Sequence, residues 1–94
     1  MERVGFILLT MLLSVSVWAQ EMEVNGRVFD EQKQPVIGAT IMVKGTGDGT
    51  VSDREGKYRI KTEKGDTLVF LFIGYVTREI EVREERLDVY LKPD

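Results

Sequence analysis

Thr67-Leu68-Val69-Phe70-Leu71-Phe72-Ile73 is a continuous apolar run. Glu63-Lys64-Gly65-Asp66 forms a polar turn before it, and Gly74 interrupts it on the other side. A short apolar run between turn signals reads as a strand covered on both faces, and this one is expected at the centre of the fold. A lone glycine at its end marks a bulge or a close backbone approach.

Strand signals continue in both directions from this run. Downstream, Val76, Arg78, Ile80 and Val82 alternate with Thr77, Glu79 and Glu81. Arg83-Glu84-Glu85-Arg86 is a charged turn, and Leu87, Val89 and Leu91 mark a last strand before Pro93. Upstream, Lys57 to Thr62 alternates with Tyr58 and Ile60 on the inner side. Asp53-Arg54-Glu55-Gly56 is a tight turn, because Asp bonds its own backbone and Gly takes a positive φ. Thr50-Val51-Ser52 reads as a short strand after the glycine-rich loop Gly45-Thr46-Gly47-Asp48-Gly49. Ala39, Ile41 and Val43 alternate with Thr40, Met42 and Lys44. The polar turn Asp30 to Pro35 precedes them, and Met22 to Phe29 forms the first strand with Val24 and Val28 inward. Seven short strands at close spacing predict an all-β fold, a small antiparallel seven-stranded sandwich.

The first nineteen residues differ in kind. Glu2 and Arg3 precede the apolar stretch Val4 to Trp18, which ends in Val17-Trp18-Ala19. That stretch is shorter than the about 20 apolar residues of a membrane span and is broken by Thr10, Ser14 and Ser16. It reads as a signal peptide over 1–19, cleaved after Ala19, with one domain over 20–94. Removing 19 of the 94 residues leaves 75, enough for a single domain with a thin stability margin.

Composition excludes several functions. There is no Cys, so no disulfide, thiolate metal site or lipid-bearing cysteine is available. There is no His, the commonest general base near neutral pH. The net charge is −3 with Lys and Arg dispersed, which lacks the basic stripe that nucleic acid requires. Ser52 is the single Ser after residue 19, and a pairing with Lys57 has no third group to orient it. Asp48, Asp53, Glu55 and Asp66 read as turn residues. Asp48, Asp53 and Glu55 do not have the spacing of a known calcium loop. The glycine-rich loop lacks the Lys-Ser/Thr of a phosphate loop and opens no helix. No cofactor is expected.

Four stretches occur in a fixed order: Val24-Asn25-Gly26-Arg27-Val28 before Asp30; Pro35 to Ala39 before Ile41 to Thr46; Thr50 to Asp53 before Gly56-Lys57-Tyr58; and Phe70 to Tyr75 before Leu87-Asp88-Val89. This succession resembles the carboxypeptidase regulatory-like domain, a transthyretin-like β-sandwich. It is most similar to the version at the N-terminus of SusC/RagA-type TonB-linked outer-membrane receptors. The positions that carry the resemblance are Gly38, Gly45, Asp53, Gly56, Phe70, Phe72, Gly74 and Tyr75. They read as a scaffold: glycines where strands turn, and phenylalanines as core.

The resemblance implies a non-catalytic module, exported to the periplasm or outer membrane of a diderm, Bacteroidetes-like bacterium. Its implied partners are an outer-membrane receptor or TonB-system components, with a glycan or peptide ligand reached through them. In such receptors a plug and a barrel follow. The sequence stops at Lys92-Pro93-Asp94, so the expectation divides between a stand-alone module and the first piece of a receptor gene. Two other readings stay open: a secreted domain binding a protein or polysaccharide, and a small carboxylate-based hydrolase. The free strand edge cannot be read from the sequence.

Overall fold

The alternation of apolar and polar side chains resolves into seven strands. They are β1 (Glu21–Phe29), β2 (Thr40–Val43), β3 (Gly49–Val51), β4 (Lys57–Glu63), β5 (Thr67–Leu71), β6 (Arg78–Glu81) and β7 (Val89–Tyr90). The computed structural model describes residues 21–94, so the signal peptide expected over 1–19 and its expected cleavage after Ala19 lie outside the described residues. Two sheets form a sandwich, one in the order β4-β1-β7 and the other in the order β3-β2-β5-β6.

Period two decides which side chains meet between the sheets. Val24 and Val28 of β1, Tyr58 and Ile60 of β4, Ile41 and Val43 of β2, and Leu68 and Phe70 of β5 are all buried. The Phe70 ring meets the Tyr58 ring edge-on at 5.5 Å between centroids, joining the two sheets across the core. Burial of Phe70 contributes about 1.5–3 kcal/mol.

The central apolar run departs from expectation. β5 ends at Leu71, because Gly74 has φ 86° and the Tyr75 N–H donates to the Phe72 carbonyl at 3.0 Å. Those two features close a turn inside the run. Phe72 is therefore only partly buried, against Tyr75 at 5.6 Å, and Ile73 is 91% exposed. β5 is interior to its sheet, between β2 and β6, but it is covered on one face: Leu68 and Phe70 are buried while Thr67, Val69 and Leu71 are partly exposed. Burial on both faces is corrected accordingly.

One pairing corrects the antiparallel expectation. β7 runs parallel to β1, with Val28 beside Val89 and Phe29 beside Tyr90, while the other pairs are antiparallel. The chain leaves β6 in one sheet and crosses to the far side of β1 in the other, and a parallel neighbour needs such a crossover. Backbone bonds from Asn25 N–H to the Glu85 carbonyl (2.7 Å) and from Leu87 N–H to the Asn25 carbonyl (2.9 Å) hold that crossing segment against β1.

Candidate functional site

The residues singled out in the sequence occupy turns and their supports. Asp53 Oδ1 accepts the N–H groups of Glu55 and Lys57, each at 2.9 Å. Its backbone completes the turn by bonding Lys57 and Gly56. Gly56 stands at φ 76°, and a Cβ there would lie 2.6 Å from the Val28 carbonyl oxygen. Gly38, Gly45 and Gly74 also have positive φ.

The same arrangement occurs a second time. Asp30 Oδ1 accepts the N–H groups of Gln32 and Gln34, each at 2.9 Å, and Lys33 takes φ 64° at the place Gly56 holds in the other turn. Both aspartates are thus committed to local backbone donors, which makes them turn caps.

Ser52 has a role that its sequence context did not disclose. It is buried, its hydroxyl donates to the Val36 carbonyl at 2.7 Å, and its Oγ accepts the Ala39 N–H at 2.9 Å. It ties the segment leading into β2 to the end of β3. With both polar functions engaged it has no free hydroxyl to attack a substrate. A buried Ser beside a strand end carries no sequence signature of its own.

Gly26 was also missed as a special position. A Cβ on it would lie 1.7 Å from the Leu87 carbonyl oxygen and 3.0 Å from Tyr58 Cε1. That oxygen accepts the Tyr58 hydroxyl at 2.6 Å. Burial raises the Tyr58 phenol well above its ordinary value, the Asp88 charge raises it further, and Arg86 lowers it. The signal for Gly26 lies in a loop 61 residues away in sequence, beyond any local pattern.

The carboxylates do not assemble. Glu55 pairs with Lys57 at 3.0 Å, Asp66 accepts the Thr62 hydroxyl at 2.9 Å, and Asp48 receives no partner from Asp53. Among the described residues no group of three or more ligating side chains could hold a metal ion. The remaining features are surface ones. Phe29 stacks on Tyr90 at 5.1 Å with the Arg27 guanidinium 4.9 Å from the Phe29 ring. Val51 and Ile73 are exposed apolar side chains on the other sheet and its end. Tyr75 is half-buried, whereas Tyr90 is 47% exposed.

Known proteins resemble this chain over almost all of its described length. The profile of the CarboxypepD_reg-like domain matches residues 24–93. TonB-dependent receptor SusC of Bacteroides thetaiotaomicron is 42% identical over 82 residues, which are 87% of this chain and 8% of that receptor. TonB-dependent receptor P39 of Formosa agariphila is 33% identical over 94 residues, 96% of this chain and 9% of the receptor. The chain therefore spans less than a tenth of the length of these relatives. Among solved structures, a chain of a type II Cohesin-X-Dockerin complex from Acetivibrio cellulolyticus superposes with TM-score 0.62 at 22% identity, covering 77% of this chain and 58% of that one. The last likeness establishes the sandwich fold, and the first two establish descent: the chain belongs to the CarboxypepD_reg-like domain family.

Proposed function

We infer that the chain is the N-terminal domain of a TonB-dependent outer-membrane receptor of the SusC type, and that it acts without catalysis. The observation that carries this reading is the 42% identity to SusC across 87% of the chain. The absence of His and Cys from the sequence, the engagement of Ser52 in two hydrogen bonds and the dispersal of the carboxylates support a scaffold over an enzyme. On this reading the chain is exported, the first nineteen residues are removed, and the domain sits at the periplasmic side of the outer membrane. There it serves an import system for a glycan or peptide through its receptor and TonB-system contacts.

The test is a blot of fractionated cells with an antibody raised to residues 20–94. A band far larger than this chain in the outer membrane is expected. A band of about 75 residues in the soluble fraction would replace the receptor reading with that of a free-standing binding domain.

A further inference from the structure

The two sheets leave two open edges whose backbone and charge match each other. β4 is an edge strand, and β6 is an edge of the other sheet. On β4 the Val28 N–H bond to the Gly56 carbonyl fixes which residues face β1. Antiparallel pairs exchange bonds at alternate residues, so Tyr58, Ile60 and Thr62 pair with β1 while Lys57, Arg59, Lys61 and Glu63 turn their backbone groups outward. Asp53 caps the first of these and Asp66 caps the last: Lys57 N–H donates to Asp53 Oδ1 at 2.9 Å and Glu63 N–H to Asp66 Oδ2 at 3.1 Å. Arg59 and Lys61 remain, each with a free N–H and C=O among the described residues.

The same reasoning applies to β6. Val82 N–H donates to the Asp66 carbonyl, so Ile80 and Arg78 pair with β5 and the backbone groups of Glu79 and Glu81 turn outward. The two edges thus offer Arg59-Ile60-Lys61 on one side and Glu79-Ile80-Glu81 on the other. In each triplet the flanking side chains are exposed on the outer face of a sheet and the isoleucine points inward. The present partners of the two glutamates, Lys44 at 2.7 Å and Arg83 at 3.7 Å, are themselves exposed, so exchanging them costs little.

We propose that the β4 edge of one copy of this chain takes the β6 edge of a second copy as an added antiparallel strand. Arg59 then stands opposite Glu81, Lys61 opposite Glu79, and Ile60 opposite Ile80. Four backbone hydrogen bonds and two cross-strand ion pairs form, and the two sheets fuse into one. Because the surfaces differ, the contact is heterologous, and the pair keeps one open edge of each kind for the next copy.

The purified chain is examined by sedimentation equilibrium from low micromolar to millimolar concentration. Its average mass is expected to rise with concentration and to fall back in 1 M salt, where the screening length is about 3 Å. Arg59→Glu with Lys61→Glu blocks one edge, and Glu79→Lys with Glu81→Lys blocks the other. Each variant alone is expected to associate about tenfold or more weakly, while an equal mixture regains association, because each variant's edges match in charge the edges of the other. As a check independent of the variants, amide resonances of these four residues shift on dilution of the wild-type chain. A wild-type chain that stays monomeric throughout, variants that associate like wild type, or a mixture that stays monomeric would each overturn the proposal.

Discussion

Replacing Gly26 by Ala places a single methyl group where the crossing segment lies on β1. The added Cβ would stand 1.7 Å from the Leu87 oxygen and 2.5 Å from the Leu87 carbonyl carbon, so that carbonyl must withdraw by well over an ångström. It is not free to do so. The Leu87 N–H is bonded to Asn25, its carbonyl receives the Tyr58 hydroxyl at 2.6 Å, and Arg27 N–H holds Asp88 Oδ1 at 3.0 Å. Overpacking costs about 1–3 kcal/mol, and leaving a half-buried Tyr hydroxyl without its acceptor costs about 1–3 kcal/mol more. A loss of about 3–5 kcal/mol is expected, against about 4–11 kcal/mol in all for a domain of about 75 residues.

The assay is denaturant unfolding followed by far-ultraviolet circular dichroism, because the only Trp lies at position 18. The denaturation midpoint should fall, and in a thermal melt followed by the same signal the melting temperature should drop by more than about 12 °C. Gly47→Ala is the control, since a Cβ there meets nothing within 4 Å, and it should change stability by no more than about 0.5 kcal/mol. Tyr58→Phe should be costly in the wild-type background and nearly free in Gly26→Ala, because the bond it removes is already gone. A Gly26→Ala protein within about 1 kcal/mol of wild type would refute the close-approach argument.

The other predictions concern packing, turns and pH. Phe70→Ala should cost about 3–5 kcal/mol, and Phe72→Ala clearly less because that ring is only partly buried; equal losses in thermal melts would contradict the placement of the β5 end. Ser52→Ala orphans the Ala39 N–H and the Val36 carbonyl and should lower stability by about 1–3 kcal/mol, read from the denaturation midpoint. Gly56→Ala should exceed the about 1–2 kcal/mol of its positive φ because of the Val28 contact, whereas Lys33→Gly should be neutral or stabilising; the reverse order of melts would count against the turn comparison. Tyr58 has its folded-state value raised, so its contribution is whole below the unfolded value of about 10 and is lost as pH rises above that. Spectroscopic titration should show the Tyr58 phenol ionising only well above its ordinary value, and stability should decline above about pH 10.

What the sequence disclosed follows from the range of each signal. Alternation is local, so β1, β2, β4 and the inner residues Val24, Val28, Tyr58 and Ile60 were legible from it. Turn chemistry is local as well, and the capping by Asp53 with Gly56 was expected from four adjacent residues. The Phe70 to Ile73 run misled because hydrophobicity alone does not say where a ladder ends. Gly74 set that end through its φ, two residues before the apolar run stopped. The last strand was legible from Leu87, Val89 and Leu91, but its parallel pairing with β1 across 61 positions leaves no local signal. The roles of Gly26 and Ser52 exist only once distant segments have met.

Turn capping and charge together decide what each sheet edge can pair with. In an aspartate-capped turn the carboxylate saturates the last outward donor of the adjoining strand, as Asp53 does for Lys57 and Asp66 for Glu63. Capping therefore shortens the open edge of β4 to two residues, and those two are Arg59 and Lys61. Basic side chains on an edge ordinarily discourage pairing with another sheet, because like charges would face one another. On this chain the β6 edge is acidic at the two matching positions, Glu79 and Glu81, so the charges that repel β4 from β4 attract β4 to β6. Charge then selects one heterologous contact over every like-with-like contact. Charge reversal on one edge alone should weaken association about tenfold or more, and reversal on both edges of the same chain should restore it. A doubly reversed chain that remained monomeric where wild type associates would show that charge complementarity between these two edges does not govern the contact.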